Sequence, residues 1–230
     1  MGNEMAISDT VNSISQAVGN VTMDKTMSVL DLTLKGGWIV GVLFFLSLVA
    51  VYFFVVKFIE IKRASKEDTS FMDRIQDYMS DGKISSALKL CDDTNSPYAK
   101  MIKKGILHRD KSNSDIKVVI ENVGNVEIGK LEGNIGVLAT ISATAPMIGF
   151  LGTVVGMLQS FFNMANAGSS GLNIQVFAGG IYQALVTTVA GLIVGILALF
   201  AYNYLTSRLD KVINSMEYKT MEFMDVINKL

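Results

Sequence analysis

NIGVLATISATAPMIGFLGTVVGMLQSFFNMANAGSSGLNIQVFAGGIYQALVTTVAGLIVGILALFAYNYLTS, residues 134–207, runs without one Asp, Glu, Lys, Arg or His. At its middle, ANAGSSGLN at 165–173 is a polar, glycine-containing break, so the stretch reads as a helical hairpin. Its arms, residues 135–164 and 174–204, would each reach about 45 Å at 1.5 Å per residue. A bilayer's hydrocarbon core needs only about 30 Å, so both arms are expected to cross a membrane and protrude beyond it.

Upstream, GGWIVGVLFFLSLVAVYFFVV at 36–56 is also free of charge and would reach roughly 31 Å, which gives a third span. Trp38 and Tyr52 lie near its ends as interfacial anchors, or Trp38 packs on a neighbour. Lys57, Lys62, Arg63 and Lys66 follow the first span and Arg208 and Lys211 follow the third, whereas the hairpin turn has no basic residue. The positive-inside rule then puts the N-terminus and the turn in the periplasm and the C-terminus in the cytoplasm. The expected fold class is all-α integral membrane protein, with three transmembrane helices, spans two and three extended into the cytoplasm, and short cytoplasmic helices. By residue, 1–34 is a periplasmic segment, 35–57 span one, 58–133 a cytoplasmic helical domain and 134–164 span two. Residues 165–173 are the periplasmic turn, 174–207 span three and 208–230 a cytoplasmic C-terminal helix.

Half of the 230 residues are hydrophobic and 18% are charged, with a net charge of −1, so no basic surface points to nucleic acid. Cys91 and His108 are each alone, which speaks against a disulfide framework or a metal cluster; no metal or cofactor is expected. MGNEMAISDT carries Glu4 and Asp9 before any basic residue and does not read as a signal peptide. Ile7, Val11, Ile14, Val18 and Val21 outline an amphipathic helix for the outer leaflet or a partner. In the cytoplasmic domain, one helix follows a cap at Ser70 and ends by Gly82, and Ala87, Leu88 and Cys91 mark a second. Ser96-Pro97 starts a third. A fourth begins near Ser114, with Ile116, Val119, Ile120, Val123 and Val126 at helical spacing, and is expected to run unbroken into span two. Glu121, Glu127 and Glu132 precede that span as a solvated face or, in a ring, as an acidic vestibule.

Gly149, Thr153, Gly156, Ser160 and Asn163 recur at spacings of four and three, so span two carries one small and polar stripe. Span three repeats the design with Gly180, Ala184 and Thr188, and with Gly191 and Gly195 close by. Small residues let helices approach closely in lipid, and Gly152 with Gly156 forms the familiar four-residue repeat. The threonine hydroxyls either return a bond to their own helix or meet water or a cation. Pro146 removes a backbone donor, which makes either a plain kink or a water site. A proton relay normally needs an ionisable group at membrane depth, and these spans have none. Either the protein moves nothing, or another chain supplies the carboxylate.

TAPMIGFLGTVVG at 144–156, ALVTTVAGLIVG at 184–195 and AYN at 201–203 resemble the two signature spans of the MotA/TolQ/ExbB family. With three spans rather than four, the ExbB and TolQ branch fits better than the flagellar stator branch. The resemblance implies a homopentameric ring whose second and third spans surround a single-span ExbD-like or TolR-like partner, which carries an essential transmembrane aspartate. It also implies a TonB-like or TolA-like protein as the component energised. Thr153 and Thr188 match the family's pore threonines, Thr187 is adjacent, and Gln183 stands where many relatives have a glutamate.

The expectation is therefore an ExbB-like ring subunit in the bacterial inner membrane that harnesses proton-motive force, rather than a conventional enzyme. Thr153, Thr188, Thr187 and Gln183 are expected to line the ion pathway. Gly149, Gly152, Gly156, Pro146, Gly180, Ala184, Gly191 and Gly195 are expected to pack helices. A TolQ-like subunit, a sodium-driven or gliding-type relative and a structural scaffold are the alternatives.

Overall fold

The computed structural model describes residues 37–65, 70–94, 96–166 and 174–229. The helix expected at residues 7–21, Lys66 and most of the turn at 165–173 lie outside them. Every regular element among the described residues is a helix: α1 (Gly37–Ala64), α2 (Phe71–Ser80), α3 (Ile84–Thr94), α4 (Pro97–Leu107), α5 (Asn113–Glu132), α6 (Ile135–Ala165) and α7 (Ile174–Lys229). Three helical stretches, ending in α1, α6 and α7, are long and apolar enough to cross a membrane. The chain is thus an all-α protein with three candidate spans.

α1 turns Ile39, Leu43, Ala50 and Ile61 inward. Phe44, Phe45, Leu48, Val51 and Val55 remain exposed. A helix that is apolar all round in this way is suited to lipid on its outer side. Trp38 is exposed as well.

Two boundaries differ from expectation. The helical path is broken between α5 and α6, where Asn134 takes a left-handed conformation (φ 66°) after Gly133. Asn tolerates that conformation better than most residues, so Gly133-Asn134 reads as a stop signal that the apolar periodicity hid. Conversely, span three and the C-terminal helix are one 56-residue helix, α7. No glycine or proline follows Gly195. Leu205, Leu209, Val212, Met216, Phe223 and Val226 keep one stripe of α7 buried as it leaves the spans.

That stripe completes the core of the small helices, with Phe71, Ile75, Tyr98, Ile102, Ile106, Ile116 and Ile120. Gly105 on α4 is pressed so close that a Cβ there would lie 2.5 Å from Phe223 Cε1 and 2.7 Å from Ile120 Cδ1. The Tyr98 ring meets Phe71 edge-on at 5.1 Å and carries the Lys219 ammonium 4.9 Å from its centroid. This cation–π contact offsets part of the desolvation of a buried lysine. Ser96 caps α4 by accepting from the Ala99 N–H at 3.2 Å, and Ser112 caps α5 from Asp115 at 3.2 Å. Ser70 occupies the cap position of α2 without a side-chain cap bond.

On α5 the periodicity picked the wrong residue at one turn: Val126 is exposed and Glu127 is buried. Glu127 accepts from Lys100 of α4 at 2.8 Å and from Lys130 at 2.6 Å. Burial pushes the Glu127 carboxyl up, but the bonds and charges of Lys100 and Lys130 together hold it below its ordinary value. It is thereby taken from the acidic vestibule considered above. Lys57, read as a simple flanking charge, is also buried; it donates to Glu60 at 2.6 Å and to the Lys130 carbonyl at 3.2 Å, tying α1 to α5.

Candidate functional site

The site lies along the antiparallel seam of α6 and α7, where backbone meets backbone. A Cβ on Gly149 would lie 2.8 Å from the Thr187 carbonyl oxygen and 3.1 Å from Gly191 Cα. One on Gly191 would lie 2.6 Å from the Ala145 carbonyl oxygen and 2.9 Å from Gly149 Cα. Further along, Gly156 faces Ala184 and the Gly180 carbonyl, and Gly180 faces the Ser160 hydroxyl. At the other end, the Pro146 ring sits against Gly195, where a Cβ would lie 2.6 Å from its Cγ. Pro146 has no N–H for the Ser142 carbonyl, and that oxygen lies 3.1 Å from the same Gly195 position. The small residues thus let two helices touch along their carbonyls, the close approach that apolar surroundings reward.

Close approach is what sets the hydroxyls. Thr187, fully buried in the seam against Gly152, donates to the Ala184 carbonyl at 2.6 Å, with the Gly149 carbonyl oxygen at 3.3 Å. Thr188 donates across the seam to the same Gly149 carbonyl at 3.1 Å. Thr153 donates to the Phe150 carbonyl at 2.6 Å and Ser160 to the Gly156 carbonyl at 2.9 Å. Each hydroxyl proton is therefore committed to backbone, and each oxygen keeps lone pairs to offer. The structure brings Thr187, Thr188 and Gly149 together, with Thr153 one residue from Gly152, which lies against Thr187.

Gln183 stands apart from that cluster. It is exposed and lines a cleft of about 520 Å³ among α1, α6 and α7, with Gly37, Trp38, Gln159, Ser160, Asn163 and Thr187. Gly37 has φ +70°, and a Cβ there would come 2.6 Å from Gln183 Nε2, so both backbone and space require glycine. Gln159 and the α1 contribution escaped the sequence reading. Gln159 is one position off the small-residue stripe, next to Ser160, and so is not counted with it; nothing local ties Gly37 to a residue far along the chain. Among the described residues no group of three His, Cys, Asp or Glu is placed to hold a metal.

Three candidate spans, two of them joined by a charge-free seam with inward hydroxyls, define a multi-pass membrane protein of the transport-associated kind. The chain belongs to the MotA/TolQ/ExbB proton channel family, whose model matches residues 93–218. It is 29% identical over 195 residues to an ExbB homolog from Methanothermobacter thermautotrophicus, covering 83% of this chain and 67% of that protein. It is 39% identical over 101 residues to the Tol-Pal system protein TolQ of Haemophilus influenzae, covering 44% and 42% respectively. The biopolymer transport protein ExbB of Neisseria gonorrhoeae is 48% identical over 68 residues, 30% of each chain. The matched part thus spans from under a third to about two thirds of these relatives.

Proposed function

We propose that this chain is the ring subunit of an ExbB-like motor in the bacterial inner membrane, driven by proton-motive force. In this reading five copies surround a single-span ExbD-like partner with an aspartate in its span, and the ring energises TonB-dependent outer-membrane transport. The reading places the N-terminus in the periplasm and the C-terminus in the cytoplasm, with Lys62, Arg63, Arg208 and Lys211 flanking the inner ends of the spans. Thr153, Thr188 and Thr187, with Gln183, form the ion pathway. No metal or cofactor takes part, and the moving species is a proton.

One observation carries it: the walls hold hydroxyls whose protons are already donated to backbone carbonyls, and no acid or base of their own. An acceptor-only hydroxyl binds a protonated carboxylic acid well and a carboxylate badly, since two acceptors face each other. To receive the carboxylate, Thr188 must give up the Gly149 carbonyl and turn its proton outward. The protonation state of the partner's aspartate is thus coupled to a rearrangement of the wall. A potential of 100 mV contributes about 2.3 kcal/mol per charge, enough for a few protons to do mechanical work.

The test replaces Thr188 and, separately, Thr153 by valine, which keeps shape and removes the hydroxyl. The chain is reconstituted with a partner whose span carries an aspartate, and proton flux and ring assembly are measured. Loss of flux of tenfold or more, ~1.4 kcal/mol, with assembly retained, is expected. Unchanged flux, or a ring with no proton dependence as in a pure scaffold, overturns the reading. A sodium-driven motor would instead change its rate when sodium is varied with the proton gradient held constant. A TolQ-like role in envelope integrity is the second reading, favoured by the 39% identity to TolQ.

A further inference from the structure

Further along α1 from the Gln183 cleft, α1 and α7 enclose a groove of about 430 Å³ whose lining includes Ala50, Val51, Phe54, Leu197 and Ala201. The only side-chain polar atoms on it belong to Ser47 and Tyr204. Both are engaged: the Ser47 hydroxyl donates to the Phe44 carbonyl at 2.7 Å, and the Tyr204 oxygen accepts from Arg208 Nε at 3.2 Å. The groove interior therefore offers hydrocarbon contact and nothing else. At its basic end it meets a second cavity of about 380 Å³, to which Tyr204 also belongs, lined by Phe58, Ser65, Lys62 and Arg208.

Lys62 and Arg208 come from different helices and point at one mouth. The Lys62 ammonium lies 5.9 Å from the Phe58 ring centroid, and the Arg208 guanidinium 5.3 Å from that of Tyr204. Both side chains are exposed, and among the described residues no carboxylate pairs with either. A hydrocarbon slot that opens between two unpaired cations at the end of the spans has the chemistry of one amphiphile. We infer that the groove binds an anionic glycerophospholipid, one acyl chain lying along α1 and α7 and its phosphate held between Lys62 and Arg208. A second copy of the chain is the competing occupant, and the assembly readout below separates it from a lipid.

The test is native mass spectrometry of the full-length protein, delipidated and then given phosphatidylglycerol or phosphatidylcholine. The wild type is expected to retain phosphatidylglycerol preferentially. The pair Lys62→Gln and Arg208→Gln should reduce that preference about thirtyfold, equivalent to ~1 kcal/mol for each basic residue. The pair Lys62→Arg and Arg208→Lys should keep the preference and serves as the folding control. Ala201→Phe, which fills the groove, should reduce retention of both lipids, and inorganic phosphate at millimolar concentration should displace neither. Equal retention of the two lipids, a preference untouched by the glutamines, or full binding by the Ala201→Phe protein would overturn the assignment. So would displacement by inorganic phosphate, which indicates a bare anion site, or loss of ring assembly in Ala201→Phe with lipid retained, which indicates a second copy in the groove.

Discussion

Replacing Gly191 by alanine adds one methyl group at the tightest backbone contact of the α6–α7 seam. The new Cβ would lie 2.6 Å from the Ala145 carbonyl oxygen and 2.9 Å from Gly149 Cα, and all of these neighbours are backbone. No side chain can rotate away, so the helices must part. Bringing 2.6 Å to the 3.0 Å at which such contacts begin to be found opens the seam by about 0.4 Å. That shift lengthens the Thr188 bond to the Gly149 carbonyl, now 3.1 Å, to the edge of hydrogen-bonding range. Overpacking of this kind costs about 1–3 kcal/mol, and a weakened hydrogen bond adds about 0.5–1.5 kcal/mol. Alanine recovers roughly 1 kcal/mol of helix propensity, which leaves a net destabilisation of about 0.5–3.5 kcal/mol. Gly129 on α5 is the matched control: it is helical and exposed, and a Cβ there meets nothing within 4 Å. Gly129→Ala should therefore stabilise by roughly 1 kcal/mol. Denaturant titration in a mild detergent, followed by helical circular dichroism, reads both changes. The same sign for the two variants, or a neutral Gly191→Ala, would refute the backbone-contact account of the seam.

Glu127→Gln removes the carboxylate that Lys100 and Lys130 share. Because the folded carboxyl titrates below its ordinary value near 4.5, it stabilises the fold above that value and loses the effect as pH falls through the depressed one. The variant should lose about 1 kcal/mol at neutral pH, since both lysines remain substantially exposed, and the stability gap to wild type should close in acid. A gap that persists in acid would contradict the pairing. Cys91 is buried, and burial first, then the charge of Asp92, pushes its thiol up to about 12. It should resist maleimide labelling at pH 7.5 in the folded protein and react at the ordinary rate in denaturant; rapid labelling of the folded protein would contradict its burial.

Helix type and approximate extent were legible because they rest on local pattern. The charge-free runs marked the spans, Ser96-Pro97 marked the start of α4, and turns of glycine and polar residues marked the ends. The misreadings have equally definite causes. Hydrophobic periodicity favours Val126 over Glu127 because it has no term for two lysines arriving from α4 and from the next turn of α5. The Gly133-Asn134 break is hidden in the sequence because apolar residues continue on both sides of it. Composition changes at the membrane edge near Ser207, but the backbone has no reason to stop there, and α7 continues as one helix.

From the sequence alone come three spans, the absence of any Asp, Glu, Lys, Arg or His in the hairpin, and the glycine and threonine pattern that resembles the MotA/TolQ/ExbB family. Each is a property of consecutive residues and survives any arrangement of the helices. The tertiary structure decided which glycines meet a facing carbonyl and that Thr187 and Thr188 share the Gly149 oxygen. It also set Gln183 beside Gly37 and put Lys62 and Arg208 at one mouth. These facts depend on the register between helices separated by scores of residues, and that register is set by backbone contact across the seam, which spacing within one helix cannot express.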